Sequence, residues 1–232
     1  MSLALFFLTL YACSDTEYHT NAIQDSKLTE SRNFGGCPQS FCNPSTITNV
    51  TDVYVINGCS ITVNYVLEEC PNTVAVRDFS YTIGTGTACT NLSQVWNQYY
   101  LYGQSQLANE ALNDLYRTLT LLVQNTVFSN LDPGDFASSV VNYDFQFIET
   151  KCHTMCVDVR DDGEGGVILG GIYQVQCGEG CCARVTQFVF DINGDPVPTS
   201  TEIKEGDECT PVRVNCDYTY DPEQCLPACS RL

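Results

Sequence analysis

The stretch VTDVYVINGCSITVNYVLEE, Val50–Glu69, alternates β-branched and aromatic residues with polar residues on both sides of an Asn-Gly pair. Such alternation over about four to eight residues is typical of a strand with one buried face. Asn57 and Gly58 both accept the positive φ angles of a type I′ turn, so the stretch predicts a β-hairpin. Side chains two residues apart share a face, and one face of the second strand carries Cys59, Ile61, Val63, Tyr65 and Leu67.

A third strand is predicted from Thr73 to Ile83. Its apolar positions change parity near Asp78, and such a change predicts a β-bulge. Cys59 and Cys70 are separated by roughly 35 Å of extended chain at about 3.3 Å per residue, too far for a disulfide bond between them. Each of these cysteines therefore needs a partner elsewhere in the chain.

Residues 91–130 change to a helical period and contain no cysteine. A short helix is predicted around Trp96, with Thr90 or Asn91 as its cap and Gly103 as its end. A second helix of about 20 residues follows, because apolar residues recur at spacings of three and four. Its stripe is expected to pack on the sheet and consists of Leu107, Ala108, Ala111, Leu112, Leu115, Leu119, Leu122 and Val123.

The chain then returns to strand character over 140–149, 167–176, 183–191 and 197–203. The second and third of these segments are predicted to pair as a hairpin around the sequence CGEGCC of residues 177–182. Asn193-Gly194 is predicted to close a further hairpin. Three strands, two helices and further strands together predict an α+β fold with a mostly antiparallel sheet, rich in disulfides.

The apolar run LALFFLTL at residues 3–10 is too short to cross a bilayer, which takes about 20 residues, and suits a secretion signal. Leu10-Tyr11-Ala12-Cys13 follows it directly and resembles the lipobox of bacterial lipoproteins. The resemblance covers residues 1–13. It implies that a lipid is attached to Cys13, which becomes the mature N-terminus, and that the protein resides at the bacterial outer membrane. Asp15 and Glu17 after the cysteine resemble the surface-export signals of some outer-membrane lipoproteins, which implies the cell surface. The alternatives are a periplasmic or secreted protein with an ordinary cleaved signal, or a buried strand at this position.

The cysteine count agrees with this interpretation. The chain has 15 cysteines, an odd and unusually large number that is typical of an oxidising compartment. If Cys13 carries a lipid, the remaining 14 can all pair. Cys181 and Cys182 are adjacent and must bond to different partners. The predicted disulfide framework is Cys37, Cys42, Cys59, Cys70, Cys89, Cys152, Cys156, Cys177, Cys181, Cys182, Cys209, Cys216, Cys225 and Cys229.

Composition divides the chain into four segments. Residues 1–12 are the predicted signal peptide, and residues 13–36 are a polar, flexible, lipid-anchored tether. Residues 37–208 form the disulfide-rich α+β domain. Residues 209–232 have too few apolar side chains for a core and are expected to form a cysteine-rich C-terminal knot.

The net charge of −18 excludes nucleic acid as a partner and leaves room for cations. Weak calcium candidates lie in a glycine-rich loop: Asp158, Asp161, Asp162 and Glu164. The run from Asp191 also has the spacing of an EF-hand, but Pro196 stands where that loop needs glycine, so a hairpin turn is the better interpretation. His153 between Cys152 and Cys156 is a weak zinc signal, and an exported protein favours disulfides over zinc.

No catalytic residue and no cofactor besides the lipid is predicted. The sequence has neither a Cys-x-x-Cys nor a Gly-x-Ser-x-Gly motif, and His153 is the one histidine outside the tether. Four aromatic residues crowd one short stretch and are candidates for binding a partner or a sugar: Trp96, Tyr99, Tyr100 and Tyr102.

These features together predict a non-enzymatic, lipid-anchored envelope protein. The expected role is an accessory or structural subunit that binds another outer-membrane or cell-surface protein. Two alternatives remain: a stand-alone surface module for glycan binding or adhesion, and a lipoprotein pilin that loses its tether, for example after Arg32, and assembles with itself.

Overall fold

The computed structural model describes residues 46–136, 142–150, 152–161 and 163–205, together with 210–211, 218–219, 226–227 and 229. The signal peptide, Cys13 and the tether lie outside these residues. The elements in chain order are β1 (Thr46–Ile56), β2 (Cys59–Cys70), β3 (Thr73–Ile83), α1 (Thr87–Leu101), α2 (Ser105–Asn130), β4 (Tyr143–Thr150), β5 (Cys152–Asp161), β6 (Val167–Gln176), β7 (Gly178–Glu179), β8 (Cys181–Phe190), β9 (Pro196–Glu205), β10 (Thr210–Pro211), β11 (Tyr218–Thr219) and β12 (Leu226–Pro227).

The main sheet has six strands in the order β1-β2-β3-β4-β8-β9. All neighbours are antiparallel except β3 and β4, which run parallel from Thr73 opposite Asp144 to Val76 opposite Phe147. A parallel pair needs a long crossover, and here the crossover contains both helices. A second sheet is built on β5, which pairs with β6 and also with the short strands β11 and β12.

The predicted hairpin and bulge are confirmed. Asn57 and Gly58 have φ angles of 52° and 79°, as a type I′ turn requires. The register between β2 and β3 shifts between Asn64 and Val66, and Asp78 has a φ of 51°. The bulge keeps Phe79 and Tyr81 on the helix side of the sheet. There Phe79 packs edge-on against Tyr116 of α2, with 5.0 Å between the two ring centres.

The core lies between the main sheet and α2. Ala108, Leu112, Leu115, Leu119 and Val123 of the predicted stripe are buried against the inner faces of β2, β3, β4 and β8. Leu107 is exposed, because it falls at the margin of the stripe near the start of the helix.

A buried cation ties α2 to the sheet. Arg184 of β8 donates to Thr120 Oγ1 at 3.2 Å and to Gln124 Oε1 at 3.2 Å, and its guanidinium lies 5.6 Å from the ring centre of Phe147. Burial lowers the pKa of Arg184, and the nearby carboxylate of Glu149 is among the groups that oppose this shift. The cationic side chain is therefore held in the core by the hydrogen bonds that it donates to α2 and by the negative charge of Glu149.

A tyrosine pair shares one carboxylate at the β1–β2 end of the core. Tyr65 donates to Asp52 Oδ2 at 2.9 Å, and Tyr54 donates to the same oxygen at 3.3 Å. Burial raises the pKa of the Tyr65 phenol, and the negative charge of Asp52 raises it further.

The α+β prediction is wrong. The described part of the chain is mostly β, with two α-helices beside twelve strands, and the main sheet is mixed because β3 and β4 run parallel. The helical segment is also not free of cysteine. Helix α1 begins at Thr87, a turn before the expected Thr90 or Asn91, and contains Cys89, which is bonded to Cys59.

The expected pairing of β6 with β8 is also wrong. Strand β6 pairs with β5, whereas β8 lies in the main sheet between β4 and β9. Gly163 and Gly165 have positive φ angles and make the expected acidic loop a tight turn between β5 and β6. The local hairpin is therefore formed by β5 and β6, and residues 177–180 connect it to β8 in the main sheet.

Every cysteine among the described residues is in a disulfide. Cys59 pairs with Cys89, and Cys182 pairs with Cys229. As expected from geometry, Cys59 does not pair with Cys70. Cys70, Cys152, Cys156, Cys177 and Cys181 are also bonded, whereas Cys37, Cys42, Cys209, Cys216 and Cys225 lie outside the described residues.

The region expected to be a separate C-terminal knot, 209–232, contributes three short strands to other parts of the fold. Strand β10 pairs with β7, while β11 and β12 pair with β5. Among the described helices, neither reaches the length and apolarity needed to span a bilayer.

Candidate ligand-binding cavity and exposed strand

A cavity of about 820 Å³ opens where the two sheets separate. Strand β4 pairs only with the first part of β3, up to Val76, so the second part of β3 has no described neighbour on that side. Strand β6 and the start of α1 close the gap instead. The volume is within the range of about 300–1,000 Å³ that is usual for small-molecule sites.

The inner wall of the cavity is aromatic and apolar. Phe79, Tyr81 and Ile83 come from β3, Trp96 from α1, and Leu112 and Tyr116 from α2. Trp96 is only 3% exposed, so its ring belongs to the core as much as to the cavity. Tyr173 stands on β6 with 41% of its surface exposed and lines the open side.

The polar part of the wall contains two amide oxygens without a hydrogen-bond partner among the described residues. Gln174 of β6 donates through Nε2 to Asn109 Oδ1 at 2.7 Å and to Asn113 Oδ1 at 2.8 Å, which fixes its amide and leaves Oε1 unpaired. Asn97 Oδ1 on α1 is likewise buried and unpaired. Leaving such an oxygen unsatisfied costs about 1–3 kcal/mol.

Among the residues that the structure describes, the lining contains no Asp, Glu, Lys or Arg, although the chain as a whole has a net charge of −18. Its other polar groups are hydroxyls, among them Ser80, Thr82, Thr90 and Ser93. His153 of β5 also lines the cavity. The site therefore offers uncharged hydrogen-bonding groups beside aromatic rings.

The rim is covalently and sterically fixed. The Cys59–Cys89 bridge holds the start of α1 against β2, and Cys89 is part of the lining. Gly84 donates from its backbone N to Ser60 O at 2.9 Å, and a Cβ at this position would lie 2.6 Å from the same oxygen. Only glycine permits this approach of β3 to β2.

The aromatic cluster predicted from sequence is not gathered at one site. Trp96 lines the cavity, while Tyr99 and Tyr100 pack against the core and Tyr102 is exposed. No motif or spacing in the sequence singles out Asn97 and Gln174, because their importance comes from an unpaired oxygen that depends on tertiary packing.

The calcium candidates are also dispersed. Asp158 lies on β5 opposite Gly171, Asp161 ends the same strand, and Glu164 is exposed in the turn after it. Asp162 lies outside the described residues. Within the described ranges, no three residues among His, Cys, Asp and Glu are grouped so as to hold a metal ion.

The EF-hand-like run forms the hairpin turn between β8 and β9. Asp191 Oδ1 accepts from the backbone N of Asn193 at 2.8 Å and from that of Asp195 at 2.9 Å. These backbone donors lower the pKa of Asp191, with the Asp195 hydrogen bond contributing most. The carboxylate is therefore occupied by the turn.

A second surface stands out on β1, a terminal strand of the main sheet that pairs with β2 alone among the described strands. On the side away from α2, Val53 is 46% exposed and Val55 is 62% exposed. Their neighbours across β2 are Thr62 and Ser60. We call these four residues the β1 patch; it contains no charge.

The chain matches no protein-family profile, no curated protein and no solved structure.

Proposed function

We propose that the chain is a non-enzymatic, lipid-anchored envelope protein that docks onto another outer-membrane or cell-surface protein through the β1 patch. The anchor is Cys13 in its lipobox-like context. The observation that supports docking is the pair of exposed valines on an uncharged strand of a strongly acidic chain. The cores of protein interfaces are depleted of charge in the same way.

The backbone of β1 supports the same proposal. A terminal strand presents N–H and C=O groups to one side and is a template for a further strand. Asp52, the one charged residue within Val50–Ile56, points to the opposite face, where it accepts from Tyr65. On the face of the β1 patch, a partner strand therefore lies beside Val53 and Val55, and no carboxylate of the patch has to be desolvated.

The partner is expected to be a different protein. Two copies of a chain with a net charge of −18 repel each other, which disfavours the alternative of a self-assembling pilin. A partner with a neutral or basic surface around its docking strand meets no such repulsion. The charge also argues against nucleic acid as a partner.

Native purification tests the proposal. The full chain is expressed in its membrane, extracted with mild detergent and examined by mass spectrometry, together with a Val53→Lys/Val55→Lys variant. The wild type should recover one stoichiometric envelope protein, and the variant should lose it. Ile192→Lys serves as the control, because Ile192 is 100% exposed in the β8–β9 turn at the other end of the sheet.

The anchor is tested separately. Cys13→Ser should abolish incorporation of labelled fatty acid and release the protein from membranes into the aqueous fraction. Recovery of the unchanged wild type in water without detergent would contradict the lipid anchor. Recovery of the lipidated protein without a partner would contradict the docking proposal and favour a stand-alone module.

A further inference from the structure

We propose that the cavity between β3, α1 and β6 binds a neutral, hydroxyl-rich ligand, a sugar ring of a glycan, with Asn97 and Gln174 as its buried hydrogen-bond acceptors. This proposal does not depend on docking through the β1 patch, which lies on the opposite face of the sheet. The two proposals can therefore fail separately.

The unpaired amide oxygens define what the ligand must supply. Asn97 Oδ1 and Gln174 Oε1 are both buried and both lack a described partner, and both residues line the cavity. A ligand that donates hydrogen bonds satisfies these oxygens, whereas an aliphatic ligand leaves them unpaired. Hydroxyl groups are such donors, and they can also accept from Thr90 and Ser93 on the same wall.

The absence of charge from the lining selects against ionic ligands. Phosphate and carboxylate ligands are commonly bound with the help of Arg, Lys or a metal ion, and the described lining residues include no Arg or Lys. A cationic ligand would need an acidic partner, and the same residues include no Asp or Glu. A neutral ligand is the class that remains.

The aromatic rings add the second half of a sugar site. A sugar ring has apolar C–H faces as well as hydroxyl edges, so it suits a wall on which aromatic faces lie next to polar groups. Tyr81 and the half-exposed Tyr173 border the cavity from two different strands. The ligand can therefore contact a ring while its hydroxyls reach the two amides.

The walls of the site are held in place by contacts within the fold. Gln174 holds β6 to α2 through Asn109 and Asn113, and the Cys59–Cys89 bridge holds α1 to β2. Acceptors fixed in this way lose little conformational freedom on binding.

The test measures binding of sugars to the purified full chain. Saturation-transfer NMR and calorimetry are carried out with glucose, galactose, mannose, N-acetylglucosamine and their disaccharides, and a glycan array extends the set. The wild type should bind at least one neutral sugar. Asn97→Leu, which removes an acceptor at similar volume, should weaken that binding about tenfold or more.

Two further variants separate binding from folding. An added Cβ at Gly171 meets no heavy atom within 4 Å, so Gly171→Leu should preserve the fold and obstruct the cavity. Gln98→Leu, at an exposed position next to Asn97, should leave binding unchanged. Asn97→Leu should also raise the melting temperature of the free protein, because it removes an unpaired buried oxygen.

The proposal is overturned if no neutral sugar binds at tens of millimolar or on the array. It is also overturned if binding persists unchanged in both Asn97→Leu and Gly171→Leu, since the sugar would then sit elsewhere. A preference for sialic or glucuronic acid over neutral sugars would contradict the inference from the uncharged lining.

Discussion

The two halves of this molecule are held together in different ways. In the packed half (β1, β2, β3, α1 and α2), one long amphipathic helix covers the sheet, and the core is built from aliphatic and aromatic side chains. In the cross-linked half (β5 to β8), five bonded cysteines occur between residues 152 and 182. The packed half also contains the Cys59–Cys89 bridge, so the two halves differ in the balance between apolar burial and covalent bonds.

The largest expected effect separates the halves directly. Reduction of the disulfides should remove amide-exchange protection from β5 and β6 while β2 and α2 stay protected. A native disulfide contributes about 2–5 kcal/mol, and the described residues of β5 and β6 that are buried in the main core are Met155 and Ile172. Exchange with mass-spectrometric detection, after capping of the free thiols, measures this. Simultaneous loss of protection in α2 and β5 would show that the halves unfold as one unit.

Arg184 tests how strongly the halves are coupled, since it joins β8 to α2. Arg184→Met removes the hydrogen bonds that Arg184 donates to Thr120 and Gln124 in the core. We expect the free energy of unfolding to fall by about 1–3 kcal/mol. Urea denaturation measures this change, and the control is Arg117→Met at an exposed position of α2. A cost equal to that of Arg117→Met would mean that the buried cation does not couple the halves.

Leu119 tests whether the packed half depends on apolar burial. Leu119 is completely buried, and Leu119→Ala should cost about 3 kcal/mol through lost contacts and a residual cavity. Leu121, two positions on and exposed, provides the matched control Leu121→Ala, which should cost much less. Thermal and urea denaturation compare the two; similar losses would contradict the assigned face of α2.

The smallest expected effect concerns pH and the packed half alone. An unfolded tyrosine ionises near pH 10, and the raised pKa keeps Tyr65 protonated in the folded state above that value. The unfolded state therefore binds fewer protons there, and stability falls as pH rises above about 10.

Tyr65→Phe measures this contribution. At pH 8 the variant should be less stable than the wild type, because Asp52 loses a donor. By pH 11 the gap should narrow by about 1 kcal/mol, since only the wild type pays for the buried phenol. Urea denaturation at the two pH values checks this, and a gap that widens at high pH would reverse the assigned sign.

The same contrast explains how far the sequence could predict the fold. In the packed half the hairpin at Asn57-Gly58, the bulge at Asp78 and helix α2 follow from periodicity and turn chemistry. In the cross-linked half the period identifies strands but does not identify their partners. Strands β6 and β8 are both rich in β-branched residues, and only tertiary contacts decide that they belong to different sheets.

The cavity could be predicted even less. The sequence predicts Trp96 as a binding residue within an aromatic cluster, but the other members of that cluster, Tyr99, Tyr100 and Tyr102, are not among the residues that line the cavity. Asn97 and Gln174 are 77 positions apart in the sequence. They line the same cavity because β4 pairs only with the first part of β3, which leaves room for the cavity beside the second part. No spacing rule in the sequence encodes that partial pairing.

The parallel pairing of β3 with β4 also sets an order of events in time. During synthesis from the N-terminus, β3 is made well before β4, because α1, α2 and the residues after them lie between the two strands. During that interval the open side of β3 is a template for any passing strand. We therefore expect early docking of α2 to bury the apolar face of the unfinished sheet, while the edge of β3 stays open until β4 and then β8 pair with it in turn.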